Sequence, residues 1–188
     1  HLMKSYLKST FLFNTEAINP YSNVVSSILE CSRKIKWDIS NNGRCSRKTL
    51  TKFRKTFNGE KAVIVCNGPS LLNEDLSLLK NTFSIGLNKI NLLFEKDRYR
   101  PNLIVAVNKH VIEQNREFFS STNIPLCLSH LPAQKYNLNA TERRALLFTS
   151  NSHPGFSCDP RYAVSEGSTV TYVAMQLAYY LGFRKVAL

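Results

Sequence analysis

Residues 61–71 read KAVIVCNGPSL, and this stretch decides the fold. Its first part, residues 62–66, is a continuous apolar and β-branched run, which is typical of a strand buried on both faces. The Asn-Gly-Pro-Ser sequence at 67–70 predicts a turn, and residues 71–80 are expected to form a short helix. A buried strand that turns directly into a helix is the opening unit of a parallel α/β sheet.

The chain after this unit alternates between further strands and helices. Four more strand-like runs follow, at residues 82–87, 103–107, 124–128 and 184–188. Helical patterns lie between them, at residues 90–94, 110–119 and 169–181. Residues 130–162 are polar and without a clear period, which predicts an insertion or long loop. The whole pattern predicts an α/β fold with a Rossmann-like, doubly wound and mostly parallel sheet.

The first 58 residues differ from the remainder, because they contain no strong strand pattern and are rich in Lys and Arg. We predict a helical basic N-terminal extension at residues 1–58 and a Rossmann-like domain at residues 59–188. Within the extension we expect a helix at 23–35, a turn at 41–43, and a second helix at 46–57 with Ser46 as its N-cap. The last strand reaches Leu188 with no element after it, so we expect the domain to be incomplete at its C terminus.

The net charge of +12 favours binding to an anionic partner. A solvated helix face is the plain interpretation of the basic stretch before residue 58. Peripheral contact with an anionic membrane is the functional interpretation. No nucleic-acid partner is expected, because aromatic residues are not interleaved with the basic ones.

The cysteine pattern and the hydropathy of the sequence indicate the compartment in which the protein is expected. The five cysteines are scattered and form no Cys-x-x-Cys pair, so neither a disulfide framework nor a metal site is expected. No run approaches the roughly 18 apolar residues of a membrane span, and no secretory signal is recognisable. We therefore expect a cytoplasmic protein, with the inner face of the membrane as the site of any peripheral contact. The sequence leaves the oligomeric state open, a homo-oligomer included.

The candidate binding residues are the polar and glycine residues that follow the predicted strands. The turn after the first strand is neither a Gly-x-Gly-x-x-Gly nor a Walker pattern, but its glycine allows a close approach of the backbone to a ligand. An asparagine follows each of the next two strands, and a Glu-Gly-Ser-Thr turn precedes the last helix. Carboxyl ends of parallel strands share one edge, so these residues should converge on one crevice. The set is Asn67, Gly68, Pro69, Ser70, Asn88, Asn108, Gly167, Ser168 and Thr169.

These motifs resemble those of the family 42 sialyltransferases, and of a broader DUF115-type group of bacterial sugar-transfer proteins with a Gly-Pro-Ser-Leu turn. The resemblance runs from about residue 61 to the end. It implies a glycosyltransferase that binds a CMP-activated sugar and transfers it to a glycan or glycolipid acceptor. It also implies that Asn67, Asn88 and Asn108 line the donor pocket, while the turn at 168–171 meets the phosphate or the sugar carboxylate. No cofactor or metal is implied.

The catalytic residues stay unassigned at this level. The resemblance places the general-base histidine beyond Leu188, and no carboxylate adjacent to His110, His130 or His153 suggests a triad. Two alternatives remain open. The Gly-Pro-Ser-Leu group is also similar to an archaeal pterin pyrophosphokinase that uses ATP and Mg²⁺, and a non-catalytic nucleotide-sugar-binding module would share the same pocket.

Overall fold

The computed structural model describes residues 20–68, 71, 73–95, 98–150, 155–167 and 169–188, with side chains described from residue 27 onward. The predictions made for Pro69, Ser70, His153 and Ser168 lie outside these residues. Eight strands occur in the described part of the chain, and six of them form the main sheet. They are β1 Lys61–Val65, β2 Phe83–Leu87, β3 Leu103–Ala106, β4 Leu126–Ser129, β5 Arg144–Leu147, β6 Thr149–Ser150, β7 Val164–Ser165 and β8 Lys185–Ala187.

Helices precede and separate these strands. None of the described helices is both long and apolar enough to cross a membrane. The α-helices are α1 Pro20–Ile39, α2 Asn41–Phe53, α3 Lys109–Gln114, α4 Arg116–Ser121, α5 His130–Lys135 and α6 Val170–Leu181; two short 3₁₀ helices are Leu76–Leu79 and Ile90–Leu93.

The main sheet has the strand order β5-β4-β3-β2-β1-β8, and every pairing in it is parallel. The chain moves outward from β1 to β5 and then returns to place β8 on the other side of β1. The strand order thus reverses between β1 and β8, which makes this the topological switch point of the sheet. The predicted Rossmann-like, doubly wound, parallel architecture is confirmed.

Two apolar layers cover the faces of the sheet, because alternate residues of each strand point to opposite faces. Ile64 and Val105 face the layer that contains Leu50 of α2 and the buried side of α6. Val65 and Ile104 face the layer that contains Trp37 of α1. The short helices α3, α4 and α5 also pack on this second face. Each layer therefore includes one of the two described helices of the basic N-terminal segment, α2 in the first layer and α1 in the second.

Helix α2 covers the exposed edge of the sheet. β5 is an edge strand, and the outward N–H of Leu146 donates a hydrogen bond to Ser46 Oγ at 2.9 Å. Thr49 Oγ1 donates to the carbonyl oxygen of Thr141 at 2.9 Å, and the hydroxyl of Tyr180 on α6 donates to Leu50 O. Covering an edge in this way prevents it from pairing with another chain.

The predicted start of the second helix was wrong. The helix begins at Asn41, and its N-cap is Ser40, whose Oγ accepts from the Gly43 amide. A Cβ on Gly43 would lie 2.1 Å from the carbonyl oxygen of Trp37, so this glycine serves close packing of α1 on α2 and not a turn. Ser46 is buried as the partner of β5. The helix also ends earlier than predicted, at Phe53.

The prediction of an irregular segment at 130–162 was also wrong. It contains α5, the edge strand β5, and β6, which pairs with β7 in a separate two-stranded sheet. β5 has only four residues and no β-branched one, so its propensity signal was weak. The predicted helix at 110–119 is two short helices that meet at Asn115, and those predicted at 71–80 and 90–94 contain 3₁₀ helices.

His130 is a core residue of the second layer. Its ring stacks on Phe148 and lies 5.0 Å from the ring of Trp37, and its Nδ1 is 3.2 Å from the carbonyl oxygen of Leu147. Burial lowers the pKa of His130 from its usual 6.5 to about 4. The hydrogen bond to Leu147 opposes this shift, and the nearby Arg33 adds to it. His130 is therefore neutral at physiological pH.

The docking of α2 on β5 predicts a specific stability loss. Ser46→Ala leaves the buried Leu146 N–H without its partner, and we expect the free energy of unfolding to fall by about 1–3 kcal/mol. Urea denaturation measures the change. Ser32→Ala is the matched control, because the Ser32 hydroxyl is exposed and bonds only within α1. Equal stability of both variants would show that α2 does not cover the edge.

The burial of His130 predicts a pH-dependent stability. Its folded-state pKa lies below that of the unfolded chain, so the unfolded state takes up the proton first and stability falls as pH drops from 6.5 to about 4. The full shift corresponds to roughly 3 kcal/mol. In urea denaturation between pH 6.5 and 4, the free energy of unfolding of His130→Gln should change less steeply with pH than that of the wild type. His110→Gln, which replaces an exposed ring, should keep the wild-type dependence. An unchanged slope in His130→Gln would contradict the assignment.

Candidate functional site

The carboxyl end of β1 meets the amino end of α6 at the switch point of the sheet. Cys66, the first residue after β1, has its Sγ 3.9 Å from Thr171 Oγ1 in the first turn of α6. Asn67 and Gly68 follow and are exposed, and the Leu71 amide donates to the Gly68 carbonyl at 3.1 Å. The described part of the predicted turn therefore lies beside a helix N terminus, at the place where open α/β sheets bind ligands.

Asn88 leaves the sheet next to this turn. Val65 pairs with Gly86, so Asn67 and Asn88, each two residues further on, lie at the same level of adjacent strands. Asn88 adopts a left-handed backbone (φ 52°), and its amide donates to Val105 O at 2.9 Å. Its Oδ1 is inaccessible to solvent and accepts no hydrogen bond from any described residue. A buried acceptor without a partner costs about 1–3 kcal/mol and calls for a physical explanation; a ligand could reach this atom only after the side chain moves.

Asn108 takes a different position from the other two asparagines. Its Oδ1 accepts from the His110 amide at 2.8 Å, so the side chain caps α3. Leu87 pairs with Val105, which places Asn108 two residues, or about 6–7 Å, further out than Asn88. The structure places Asn67 and Asn88 after the adjacent strands β1 and β2, and Asn108 on the rim of a neighbouring cavity.

The turn into α6 presents backbone groups toward the switch point. Gly167 has φ 52°, and a Cβ there would lie 2.3 Å from the Tyr172 ring, so this position requires glycine. Thr169 is the N-cap of α6, and its Oγ1 accepts from the Tyr172 amide at 3.2 Å. The remaining first-turn amides of this 12-residue helix form a positive end that suits an anion.

Gln176 holds this turn in place, a role that could not be predicted from the sequence. Its side chain is fully buried on α6. The Oε1 accepts from the amides of Ser157 and Ser165 at 3.1 and 3.0 Å. The Nε2 donates to the carbonyls of Ser165 and Tyr172 at 2.7 and 3.0 Å. Three of these hydrogen bonds hold the segment that leads to Gly167 against α6, and the fourth lies within the helix.

A polar cavity of about 630 Å³ adjoins the site at the carboxyl ends of β3 and β4. His110 Nδ1 is 3.8 Å from Glu113 Oε2, a partner that adjacent sequence positions did not suggest. The Tyr136 hydroxyl lowers the pKa of the Glu113 carboxyl, with smaller contributions from Lys135, His110 and Arg116. Glu166, directly before Gly167, links the cavity to the α6 turn. Lining side chains include Asn108, His110, Glu113, Lys135, Tyr136 and Glu166.

The described residues contain no group of three or more His, Cys, Asp or Glu side chains placed to hold a metal ion. Cys127 is buried, and burial raises the pKa of its thiol to about 12. It is therefore a packing residue of the sheet and not a nucleophile.

Comparison with known proteins gives a family and one distant structural neighbour. A MAf glycosyltransferase from Magnetospirillum magneticum AMB-1 aligns with a TM-score of 0.46 and 17% identity, over 79% of this chain and 27% of the other. The chain thus spans about a quarter of that protein's length. No curated protein matches significantly. The family model described as 6-hydroxymethylpterin diphosphokinase MptE-like matches residues 39–188, from the last residue of α1 to Leu188. The chain therefore belongs to this MptE-like family.

Proposed function

We propose that this protein is a glycosyltransferase that binds a CMP-activated sugar at the switch point and transfers the sugar to a glycan or glycolipid acceptor. The observation that carries the proposal is the meeting of the β1 turn with the α6 N terminus, marked by the 3.9 Å approach of Cys66 to Thr171. The choice of CMP rests on the sequence resemblance to sialyltransferases. The coarser statement, a transferase that uses a nucleotide-activated donor, is also supported by membership of the MptE-like family.

The phosphate of the donor would bind at the amino end of α6. Backbone amides at a helix N terminus donate to phosphate oxygens, and the helix dipole favours negative charge there. Gly167 and Thr169 shape this end of the helix, and Gly68 offers exposed backbone beside it. Ser70 and Ser168 belong to the same proposed set.

The ribose or base of the nucleotide would donate a hydrogen bond to the side-chain oxygen of Asn88. An amide oxygen accepts hydrogen bonds, so the group that meets Asn88 Oδ1 must be a donor. Ribose hydroxyls and the exocyclic amine of cytosine are donors of this kind. Asn67, at the same level of the next strand, lies where it could contact the same part of the nucleotide.

The polar cavity would hold the acceptor. In the transfer, an acceptor hydroxyl oxygen attacks the anomeric carbon, the bond from that carbon to the phosphate oxygen breaks, and CMP leaves with the electron pair. The hydroxyl proton passes to a base. Asn108 and Glu166 line the cavity beside the proposed donor site, so they would position the acceptor for in-line attack. Positive charge from the α6 N terminus would stabilise the departing phosphate.

The second candidate is a diphosphokinase that uses ATP and Mg²⁺, which the family description favours. Mg²⁺ in such enzymes is commonly held by one or two carboxylates together with the phosphates of the nucleotide. Glu113 and Glu166 line the same cavity and are the described carboxylates that could serve there. The same acceptor hydroxyl would then attack phosphorus instead of carbon.

Calorimetric titration of the purified protein separates these functions. We expect CMP to bind at least about tenfold more tightly than AMP, GMP or UMP, with no effect of EDTA. Equal affinity for the four nucleotides would contradict the CMP proposal. Binding of ATP that needs Mg²⁺ and disappears with EDTA would establish the diphosphokinase instead. Tight binding of CMP-sugar by the full-length protein without turnover would indicate a non-catalytic module.

Asn88 Oδ1, which has no hydrogen-bond partner among the described residues, allows a second test of nucleotide binding. Asn88→Gly removes the acceptor but keeps the left-handed backbone without strain. Loss of one hydrogen bond should weaken nucleotide binding about tenfold, whereas the free energy of unfolding should stay equal or rise. Asn137→Gly is the matched control, because Asn137 has φ 58° and is exposed in the turn after α5. If both variants bind nucleotide like the wild type, Asn88 does not contact it.

A further inference from the structure

Helix α1 has large aliphatic side chains that are exposed to solvent. Ile28, Leu29, Ile35 and Ile39 are 65, 63, 57 and 69% exposed. Ile35 and Ile39 follow Ile28 by seven and eleven residues, so the three lie on one side of the helix, with the exposed Cys31 between them. We call Ile28, Ile35 and Ile39 the aliphatic stripe, which Leu29 flanks. No side chain in the described part of the chain covers it.

The opposite side of α1 carries the residues that face the protein. Trp37 is buried against the ring of His130. Arg33 and Lys34 extend over the ring of Phe148, with their charged ends 5.8 and 5.5 Å from its centre. This is the reverse of an ordinary surface helix, whose apolar side packs on the core. The stripe is therefore not explained by the folding of the described domain.

The charge around the stripe indicates which partner would cover it. Residues 20–58 contain nine Lys and Arg residues against two acidic ones, and Asp38, one of those two, is already paired with Lys34 and Arg47. A second copy of the chain would bring another net charge of +12 toward the same surface. Aliphatic side chains beside unpaired cations instead match the boundary of an anionic bilayer, where headgroups attract the cations and the acyl region accepts the stripe.

We infer that α1 docks the protein on a membrane surface that contains anionic phospholipid, with the aliphatic stripe inserted at the boundary between headgroups and acyl chains. Lys36 on α1 and Arg44 and Lys48 on α2 are exposed and supply charge to the lipid headgroups. The inference does not depend on which nucleotide the protein binds.

This docking would bring the polar cavity close to the lipid. Arg33 belongs to α1 and also lines the cavity, and Leu131, which is half exposed, lies on its wall. A membrane-bound α1 therefore places the cavity mouth within one helix width of the bilayer. Under the proposed function, the acceptor would be presented from the membrane surface, as a glycolipid is.

Vesicle co-sedimentation tests the inference with the purified protein. We expect binding to phosphatidylcholine vesicles that contain phosphatidylglycerol, weak binding to pure phosphatidylcholine, and a decrease as salt is raised. Ile28→Gln with Ile35→Gln should reduce the affinity for anionic vesicles at least about tenfold. Lys36→Gln with Lys48→Gln should reduce it about fivefold per charge. Thermal unfolding should be unchanged in both, because these side chains are exposed.

The matched control places the same change on other exposed leucines. Leu78 and Leu92 are 79 and 66% exposed and lie on the two 3₁₀ helices, so Leu78→Gln with Leu92→Gln should bind vesicles like the wild type. Three results would overturn the inference. They are unchanged vesicle binding by the Ile28→Gln and Ile35→Gln variant, equal binding to neutral and anionic vesicles, and a dimer that this variant converts to a monomer without any vesicle binding.

Discussion

The side-chain amide of Gln176 is the interaction on which the candidate site depends. All four of its hydrogen bonds go to backbone groups, and the Gln176 side chain is fully buried. Through them α6 is joined to the segment that ends in Glu166 and Gly167. A buried polar network of this kind rigidifies a structure when every member is satisfied. The helix N terminus, the left-handed glycine and the cavity wall are consequently held in one arrangement.

Sheet topology adds a second constraint. β8 returns to the side of β1 opposite β2, so the β1 turn stands at the switch point, and the N terminus of α6 lies beside it. Asn67 and Asn88 then leave adjacent strands at one level, and the Asn88 side-chain oxygen is buried without a hydrogen-bond donor among the described residues. The unmet hydrogen bond at this atom lowers the stability of the fold, whereas the Gln176 network on α6 is complete. Such unsatisfied groups are rare in native proteins, so this one needs a structural or functional reason.

Much of the fold could be predicted from the sequence, because β1, β2, β3 and α6 are apolar runs bounded by turn residues. β5 was missed because its short Arg-Ala-Leu-Leu segment is stabilised by Ser46 of α2, a hundred residues away. Gly43 indicated a turn by composition, although its role is the close approach to Trp37. The positions of Asn67 and Asn88 after β1 and β2 could be predicted because strand ends are local signals. Gln176 and the Glu113 partner of His110 were not, since their roles depend on groups that only the tertiary structure brings together.

The surface of α1 and the site at the switch point lie on connected parts of the molecule, joined by the cavity that Arg33 and Glu166 both line. The central proposal is that a nucleotide binds between the β1 turn and the α6 N terminus. A crystal structure of the protein with bound CMP tests it most directly. It should show phosphate oxygens about 3 Å from the first-turn amides of α6 and a donor group of the nucleotide on Asn88 Oδ1. A nucleotide seated elsewhere, with Asn88 Oδ1 still without a partner, would contradict the account.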